Sequence, residues 1–385
     1  MGDVLVVGAG VIGLGVAWRC AQRGLAVTVV DPDPGSGASS AAAGMLAPVT
    51  ELHFGEAPLL ALGVDSAGRY PSFVEELTQA SGRQVGYRPC GTVVAGWDAA
   101  DLAGLRDLQR YAAGLGRRMD LLTGRELRAA VPALAAGLPG GLLAPDDHQV
   151  DNRLLHAALQ AAATRAGVRL IRARAEQLTS RAERATGVIC DSRERLTAQV
   201  VVLAAGAWSG QLRGVPEGAL PPVRPVKGQT LRLRLPGAPV LGRIVRGSVQ
   251  GSAVYVVPRA GGELVLGASS EEAGFDLRPR AGAVYELLRD AQALLPLLGE
   301  AELTEISTSV RPGSPDNAPI VGRTRLDGLI AATGHYRNGI LLTPVTADAV
   351  SALIVDGQLP PNFAPFTPDR FTPDRPRSAE PISCS

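Results

Sequence analysis

Residues 4–31, VLVVGAGVIGLGVAWRCAQRGLAVTVVD, decide the fold of this chain. Residues 4–7 are apolar and rich in β-branched side chains, which is typical of a strand buried on both faces of a parallel sheet. Gly8, Gly10 and Gly13 follow at the spacing G-x-G-x-x-G. The first glycine allows a tight turn, the second lets the backbone approach a pyrophosphate, and the third lets a helix pack closely on the strand.

The second half of this stretch completes a β-α-β unit. The helix after the glycines directs its unpaired N–H groups and positive dipole end towards the phosphates, and Gly24 ends it. Residues 26–30 form the second predicted strand, and Asp31 stands at its end, where a carboxylate can accept hydrogen bonds from a ribose. A secretory signal segment is the alternative for residues 4–18. It is disfavoured because Asp3 precedes the segment and no basic residue does.

Composition limits the possible classes of protein. A chain of 385 residues is long for one core, so two domains are expected. The net charge of +1 gives no reason to expect binding to nucleic acid or to an anionic membrane surface. No run of 18 apolar residues predicts a membrane span. The cysteines, Cys20, Cys90, Cys190 and Cys384, are far apart, which predicts no metal site and a cytoplasmic location.

The remainder of the N-terminal half alternates between strand and helix patterns. Small residues at 39–48 predict a second approach to the cofactor, with a flexible loop as the alternative. Apolar residues at 59–80 predict a helix pair or a helix broken near Gly68. Residues 200–204 read as a strand that returns to the first sheet.

The C-terminal half has a different pattern of apolar and polar residues. Alternating strands between 230 and 268, including a hairpin through 259–262, predict an antiparallel sheet inserted between segments of the parallel one. Residues 281–298 read as a helix. After the final strand at 329–332, a helix is expected to open at Asn338 or Gly339 and to run to about residue 356. Beyond residue 359 the proline-rich chain, with its tandem FTPDR, is expected to be extended or disordered.

Seven motifs in this order resemble the D-amino acid oxidase superfamily of flavoproteins, and within it the glycine oxidases of the thiamine-biosynthesis type. They are GAGVIG at 8–13, SAAAGML at 40–46, AAGAWSG at 204–210, PVKGQ at 225–229, YVVPR at 255–259, VRPG at 310–313 and GHYRNGILL at 334–342. The resemblance covers the chain up to residue 371.

The resemblance implies an α/β fold with two discontinuous domains. A doubly wound parallel sheet of the glutathione-reductase type would bind FAD and comprise residues 1–80, 147–214 and 316–362. An α+β substrate domain on an antiparallel or mixed sheet would comprise 81–146 and 215–315, and residues 363–385 would be a tail. It also implies a homo-oligomer, often a homotetramer.

The implied reaction is the FAD-dependent oxidative deamination of glycine, and of sarcosine or small D-amino acids. A hydride would pass from the α-carbon to flavin N5, and O2 would reoxidise the flavin to give H2O2, with a role in thiamine thiazole synthesis. A dehydrogenase with another electron acceptor is the first alternative. A protein that holds the nucleotide only as a structural or sensing ligand is the second.

The family's substrate-binding positions fall on three residues of this chain. Arg311 matches the arginine that binds the substrate carboxylate, for which a guanidinium offers two parallel bonds. A surface arginine beside a Pro-Gly turn is the alternative. Tyr255 matches the tyrosine that helps to hold the carboxylate, with a core tyrosine as its alternative. Arg337 is assigned to the catalytic site or to the pocket entrance.

The family's FAD-binding positions are carried over in the same way. They are Gly8, Gly10, Val11, Ile12, Gly13, Asp31, Ser39, Ala43, Gly44, Met45, Ala175, Gly206, His335, Tyr336, Arg337, Asn338, Gly339, Ile340 and Leu341.

Two departures from the family pattern carry expectations of their own. Ser269 and Ser270 stand where relatives are often bulky, so the pocket is expected to admit more than glycine. Relatives that bind their flavin covalently use a cysteine after the RP segment, and residues 311–337 contain none. FAD is therefore expected to be held without a covalent bond.

Overall fold

The computed structural model describes residues 3–235 and 241–371, which form nineteen strands and eight α-helices. The strands are β1 (Val4–Val7), β2 (Val27–Val30), β3 (Met45–Leu46), β4 (Thr92–Gly96), β5 (Asp120–Thr123), β6 (Gly140–Ala144), β7 (His148–Gln149), β8 (Arg169–Ile171), β9 (Ala175–Arg181), β10 (Arg184–Cys190), β11 (Arg195–Thr197), β12 (Val200–Leu203), β13 (Arg224–Arg234), β14 (Ile244–Val249), β15 (Ser252–Pro258), β16 (Glu263–Gly267), β17 (Glu302–Gly313), β18 (Ile320–Arg323) and β19 (Leu329–Thr333). The helices are α1 (Val11–Gln22), α2 (Ala38–Ala41), α3 (Ala57–Ser81), α4 (Ala99–Gly114), α5 (Gly124–Ala130), α6 (Asn152–Arg165), α7 (Ala281–Leu294) and α8 (Thr343–Val355). None of the described helices is both long and apolar enough to span a membrane.

The first sheet has the strand order β18-β19-β12-β1-β2-β8 and is parallel except for β18. Side chains along β1 point alternately to the two faces of the sheet and pack in two different hydrophobic cores. Val4 and Val6 pack against α1, α3, α6 and α8, whereas Leu5 and Val7 pack against the small β9-β10-β11 sheet. The predicted β-α-β unit therefore lies at the centre of this sheet, and β12 returns to it beside β1, as the sequence predicts.

The second sheet has eight strands in the order β17-β13-β16-β15-β14-β4-β6-β5. Its pairs are antiparallel except for β14 with β4, so the sheet is mixed. A separate core between this sheet and helices α5 and α7 stabilises it. The predicted fold class is confirmed. The strands of the two sheets fall within the two predicted sets of domain ranges, and the division into domains stays a prediction.

Helix α3 corrects the expectation of a helix pair or a break near Gly68. One helix runs through both Gly68 and Pro71. Its buried residues follow helical spacing along one face: Leu60, Leu62, Gly63, Ser66, Tyr70, Phe73, Leu77 and Ser81. Packing of this continuous stripe on the first core outweighs the lost backbone hydrogen bond and the ring clash of the proline.

Helix α8 begins at Thr343, so the expected start at Asn338 or Gly339 is wrong. In a helix that began there, the Ile340 carbonyl would need the N–H of Pro344, which proline lacks. The Tyr70 hydroxyl and the Thr343 N–H donate to that carbonyl instead. Residues 334–342 therefore form turns, and the positive end of the helix lies one turn farther along the chain than expected.

Two C-terminal boundaries also differ from the prediction. The helix expected over 281–298 ends at Leu294, and a short 3₁₀ helix, Pro296–Glu300, follows it. Residues 361–371 are not extended or disordered, because Phe363 and Phe366 are buried in the first core. The rest of the predicted tail, 372–385, lies outside the described residues.

Candidate active site

A large cavity of about 770 Å³ opens at the carboxyl ends of β1, β2 and β12. The three glycines shape it in different ways. Gly8 has a φ of +109°, and a Cβ there would lie 2.4 Å from the Ala204 carbonyl oxygen. A Cβ at Gly13 would lie 1.9 Å from the Gly8 carbonyl oxygen, so only glycine lets α1 approach β1 so closely. Gly10 lines the cavity itself.

Two polar side chains fix the turn around these glycines. Asp31 accepts hydrogen bonds from the Ala9 N–H at 2.7 Å and the Asp33 N–H at 2.8 Å. The Ser39 hydroxyl accepts from the Val11 N–H at 3.1 Å and thereby ties the small-residue segment to the helix start. Both side chains line the large cavity, so its rim offers carboxylate and hydroxyl oxygens as well as backbone N–H groups.

The predicted cofactor residues divide among three places. The large cavity is lined by Gly8, Gly10, Val11, Ile12, Asp31, Ser39, Ala175, Gly206, His335, Arg337, Gly339 and Ile340. A small cavity of about 260 Å³ is lined by Ala43, Gly44, Met45 and Tyr336, and also by Arg337 and Ile340. Neither cavity is lined by Gly13, Asn338 or Leu341.

The large cavity also has walls that the sequence analysis did not assign. Trp208 lies against the loop at Gly37, and the same cavity is lined by Arg174 and by the ion pair of Arg213 with Glu176 (2.8 Å). Trp208 belongs to the AAGAWSG motif, so its position in that motif was an available signal. Arg174 immediately precedes β9 and Arg213 forms a bridge with Gln177 of β9, and no local pattern marks either residue.

The small cavity adjoins the large one, because both are lined by Ala38, Ala42, Val310, Arg337 and Ile340. One face of the eight-stranded sheet forms its floor. Arg246, Tyr255, Gly267 and Thr230 are paired directly across β14, β15, β16 and β13, so their side chains share that face. The side chains of Arg246, Tyr255 and Thr230 therefore bring polar groups to the floor of the small cavity.

Arg311 lies in β17 and reaches the same cavity. Its Nη1 donates to the carbonyl oxygens of Ser269 at 3.0 Å and Lys227 at 3.5 Å. A Cβ at Gly228, on the neighbouring strand, would lie 2.5 Å from Nη1, so the guanidinium occupies space that a side chain would fill. The hydrogen bonds that Arg311 makes within the described residues all come from Nη1.

Tyr255 is positioned in a similar way. A Cβ at Gly267 would lie 2.3 Å from its hydroxyl oxygen. Burial raises the pKa of Tyr255, although the nearby charge of Arg311 acts in the opposite direction. The phenol is therefore protonated at neutral pH and can donate a hydrogen bond into the small cavity.

Residues 335–337 lie between the two cavities. Burial lowers the pKa of His335 to about 3, so its ring is neutral, and Nε2 lies 3.1 Å from the Thr346 hydroxyl. Arg337 is exposed, with its guanidinium 4.9 Å from the Tyr336 ring centroid and 3.4 Å from His53 Nε2. This position at the mouth of the small cavity agrees with a residue at the pocket entrance.

An ion pair that the sequence analysis missed closes the far part of the small cavity. Arg246 Nη1 lies 2.8 Å from Glu51 Oε1, and both side chains are largely buried. The fully buried carboxylate of Asp147 accepts hydrogen bonds from the N–H groups of Val49 and Thr50, immediately before Glu51. Burial raises the pKa of Asp147 to about 6. No spacing in the sequence connects these distant residues.

The residues present fit an FAD molecule. The glycine-shaped cradle, the Asp31 carboxylate and the large cavity suit the dinucleotide part, and the adjoining small cavity offers room beside the ring. No group of three or more His, Cys, Asp or Glu side chains within the described ranges is placed to bind a metal ion.

Comparison with known proteins agrees with this geometry. The model of a family of FAD-dependent oxidoreductases, abbreviated DAO, matches residues 3–353. The chain is 37% identical over 372 residues to the bifunctional protein ThiO/ThiG of Synechocystis sp., covering 96% of this chain and 54% of that protein. The chain thus spans about half the length of that relative.

Two further comparisons cover nearly the whole length of both partners. The glycine oxidase of Geobacillus kaustophilus is 35% identical over 368 residues, which are 95% of this chain and 96% of that enzyme. The crystal structure of glycine oxidase from the same organism superposes with a TM-score of 0.89 and covers 95% of this chain and 98% of that one.

Proposed function

Because the chain belongs to the family of FAD-dependent oxidoreductases, we propose that it catalyses the oxidative deamination of glycine and of small N-alkyl glycines such as sarcosine. The observation that carries this proposal is the placement of Arg311 in the small cavity. Its Nη2 and Nε atoms make no hydrogen bond within residues 3–235 and 241–371, and the cavity adjoins the one suited to FAD.

The side chains of the small cavity bind and orient an amino acid in this proposal. Arg311 would bind the carboxylate with two parallel hydrogen bonds, and the protonated Tyr255 hydroxyl would donate a third. Fixing the carboxylate at two points fixes the α-carbon, which is what a direct hydride transfer requires. When bound, FAD supplies the hydride acceptor and then passes the electron pair to O2.

No acid or base is assigned to this step. His335 is neutral and its Nε2 already contacts Thr346, so it is not placed to protonate a substrate. The imino acid would leave the site and hydrolyse in water to glyoxylate and ammonia from glycine, or to glyoxylate and the alkylamine from an N-alkyl glycine. Reoxidation by O2 would give H2O2.

The experiment is an anaerobic titration of the purified holoenzyme followed by visible absorbance. Glycine should bleach the flavin band, and air should restore it with formation of H2O2. Bleaching without recovery in air, but with recovery on addition of a quinone, would support the dehydrogenase alternative. A flavin band that no small amino acid bleaches would contradict the proposal.

Non-covalent binding of FAD is a separate proposal. It is supported by the lack of a cysteine in residues 311–337. Acid precipitation of the yellow protein should leave the colour in the supernatant, and colour in the pellet would contradict it.

We also propose a cellular setting. The resemblance to the thiamine-biosynthesis type supports a role in thiamine thiazole synthesis and a homotetramer. The widely spaced cysteines support a cytoplasmic location.

A further inference from the structure

Three guanidinium groups line the small cavity, and the two that project from the sheet, Arg311 and Arg246, are in different electrostatic states. Arg311 has hydrogen bonds only to backbone carbonyls in the described residues. Arg246 faces the same cavity but is paired with Glu51 at 2.8 Å. Beyond the exposed Arg337 at the mouth, a substrate carboxylate that enters the cavity therefore meets one guanidinium that has no carboxylate partner within the described residues, Arg311, and one that is paired, Arg246.

The backbone is fixed at both partners of the Glu51–Arg246 pair. Asp147 accepts the N–H groups of Val49 at 3.2 Å and Thr50 at 2.7 Å, which fixes the backbone immediately before Glu51. On the other side, Arg246 is anchored in β14, in register with Tyr255 on β15. The pair is thus preorganised in the wall and does not have to be assembled when a substrate binds.

Glu51 also brings a negative charge to the cavity at a largely buried position, where its side chain is 15% exposed. A second carboxylate on the substrate would lie close to this charge and would find Arg246 occupied. Like-charge contacts of this kind are an effective way to reject a ligand. Arg337 does not offset the effect, because it is exposed at the mouth and its charge is well solvated.

Resting on the proposed amino acid oxidation, we propose that Glu51 is a specificity-determining residue that restricts the site to substrates with a single carboxylate. It does so by neutralising Arg246 and by repelling a second carboxylate. The class that it excludes comprises dicarboxylic amines such as N-carboxymethylglycine (iminodiacetate).

The test compares N-ethylglycine and iminodiacetate, two secondary amines that share the glycine part and differ in the charge of the N-substituent. The holoenzyme should prefer N-ethylglycine. In Glu51→Gln the ratio of kcat/KM for iminodiacetate to that for N-ethylglycine should rise by at least about tenfold. In Arg246→Gln, which leaves Glu51 unpaired, the ratio should fall. Opposite directions are not expected from general damage to the fold.

A binding measurement makes the test independent of turnover. Acetate and malonate are not oxidised and differ by one carboxylate, and their binding can be followed as a perturbation of the flavin spectrum. Glu51→Gln should shift the ratio of their Kd values in favour of malonate. Glu76→Gln is the matched control, because it removes the carboxylate of the Arg19–Glu76 pair (2.6 Å), which lies outside both cavities.

Unchanged ratios in both Glu51→Gln and Arg246→Gln, for oxidation and for binding, would overturn the inference while leaving the proposed function intact. A parent enzyme that oxidises neither glycine nor N-ethylglycine would instead contradict the proposed function. In that case the acetate and malonate titration still decides whether Glu51 discriminates between the two anions.

Discussion

The two cavities of this molecule are lined by different kinds of chemical group. The large cavity is shaped by backbone and by small residues, with Gly8 and Gly13 packed against carbonyl oxygens at distances that exclude any Cβ. The small cavity is shaped by long side chains on a sheet, with Arg246, Tyr255 and Arg311 projecting from three strands. A dinucleotide is recognised mainly by main-chain groups, and an amino acid by a few placed charges.

This difference predicts different responses to substitution. Added atoms in the large cavity's turn collide with backbone, which has little freedom to move. On the sheet side of the small cavity, a Cβ added at Gly228 would meet the flexible end of the Arg311 side chain, whereas at Gly44, on the side shared with the cofactor segment, it would meet the Val150 carbonyl oxygen at 2.0 Å. We therefore expect changes in the first region to affect folding and FAD content, and changes in the second to affect substrate binding with FAD retained.

The largest effect is expected at Gly13. A valine there would place Cβ 1.9 Å from the Gly8 carbonyl oxygen and separate α1 from β1, so little soluble, FAD-containing protein should form. Gly10→Ala is the informative partner, because its Cβ would meet only the Ser39 hydroxyl at 3.1 Å. It should fold and bind FAD more weakly. Full FAD content in Gly13→Val, measured from the flavin band, would contradict the expectation that added atoms in this turn disrupt folding and FAD binding.

The large cavity was more predictable from local sequence than the small one. Gly8, Gly10, Gly13 and Asp31 are close in sequence, and their spacing alone carries the geometry of the turn. Arg311 and Tyr255 were identified only by resemblance, since no spacing relates a residue of β15 to one of β17.

Contacts across long stretches of chain were not predictable from local patterns. Glu51 and Arg246 are 195 residues apart, and Asp147 meets Thr50 across 97. A helix pair or a break near Gly68 was expected, whereas packing of the buried stripe of α3 keeps one helix. Tertiary contacts decided each of these cases, and a single sequence does not display them.

Asp147 binds the backbone next to Glu51, and the pH dependence of stability tests its buried carboxylate. Its folded-state pKa of about 6 lies above the unfolded value of about 3.9, so the folded protein binds more protons between these pH values. The free energy of unfolding should therefore fall as pH rises from 4 to 6, by up to about 3 kcal/mol for this group.

In Asp147→Asn this part of the pH dependence should be absent. Urea unfolding of the parent and the variant at pH 4 and pH 6.5 measures the two slopes. The exposed Asp107→Asn serves as the control and should keep the slope of the parent. Equal slopes in the parent and in Asp147→Asn would show that the carboxylate does not titrate in this range.

Arg311 tests the substrate side of the comparison directly. Arg311→Lys keeps the charge but loses the planar pair of donors, which should weaken glycine binding by about 1.5 to 3 kcal/mol. Arg311→Ala should cost more, and both variants should retain FAD. Amines without a carboxylate should be little affected by either change. If glycine and such an amine keep their relative kcat/KM values in both variants, Arg311 does not bind the carboxylate.

The smallest effect is expected at Gly228, which lines the small cavity. Adding one methyl group there tests whether a change in this cavity affects substrate binding without affecting FAD. In Gly228→Ala the new Cβ would lie 2.5 Å from Arg311 Nη1, and the flexible end of the arginine can move away. The KM for glycine should rise severalfold because the guanidinium is displaced, whereas FAD content should not change. Gly104→Ala adds the same methyl group on α4, where nothing lies within 4 Å, and should leave KM unchanged. Loss of FAD in Gly228→Ala would mean that the small cavity also contributes to FAD binding, and that the two cavities do not respond to substitution independently.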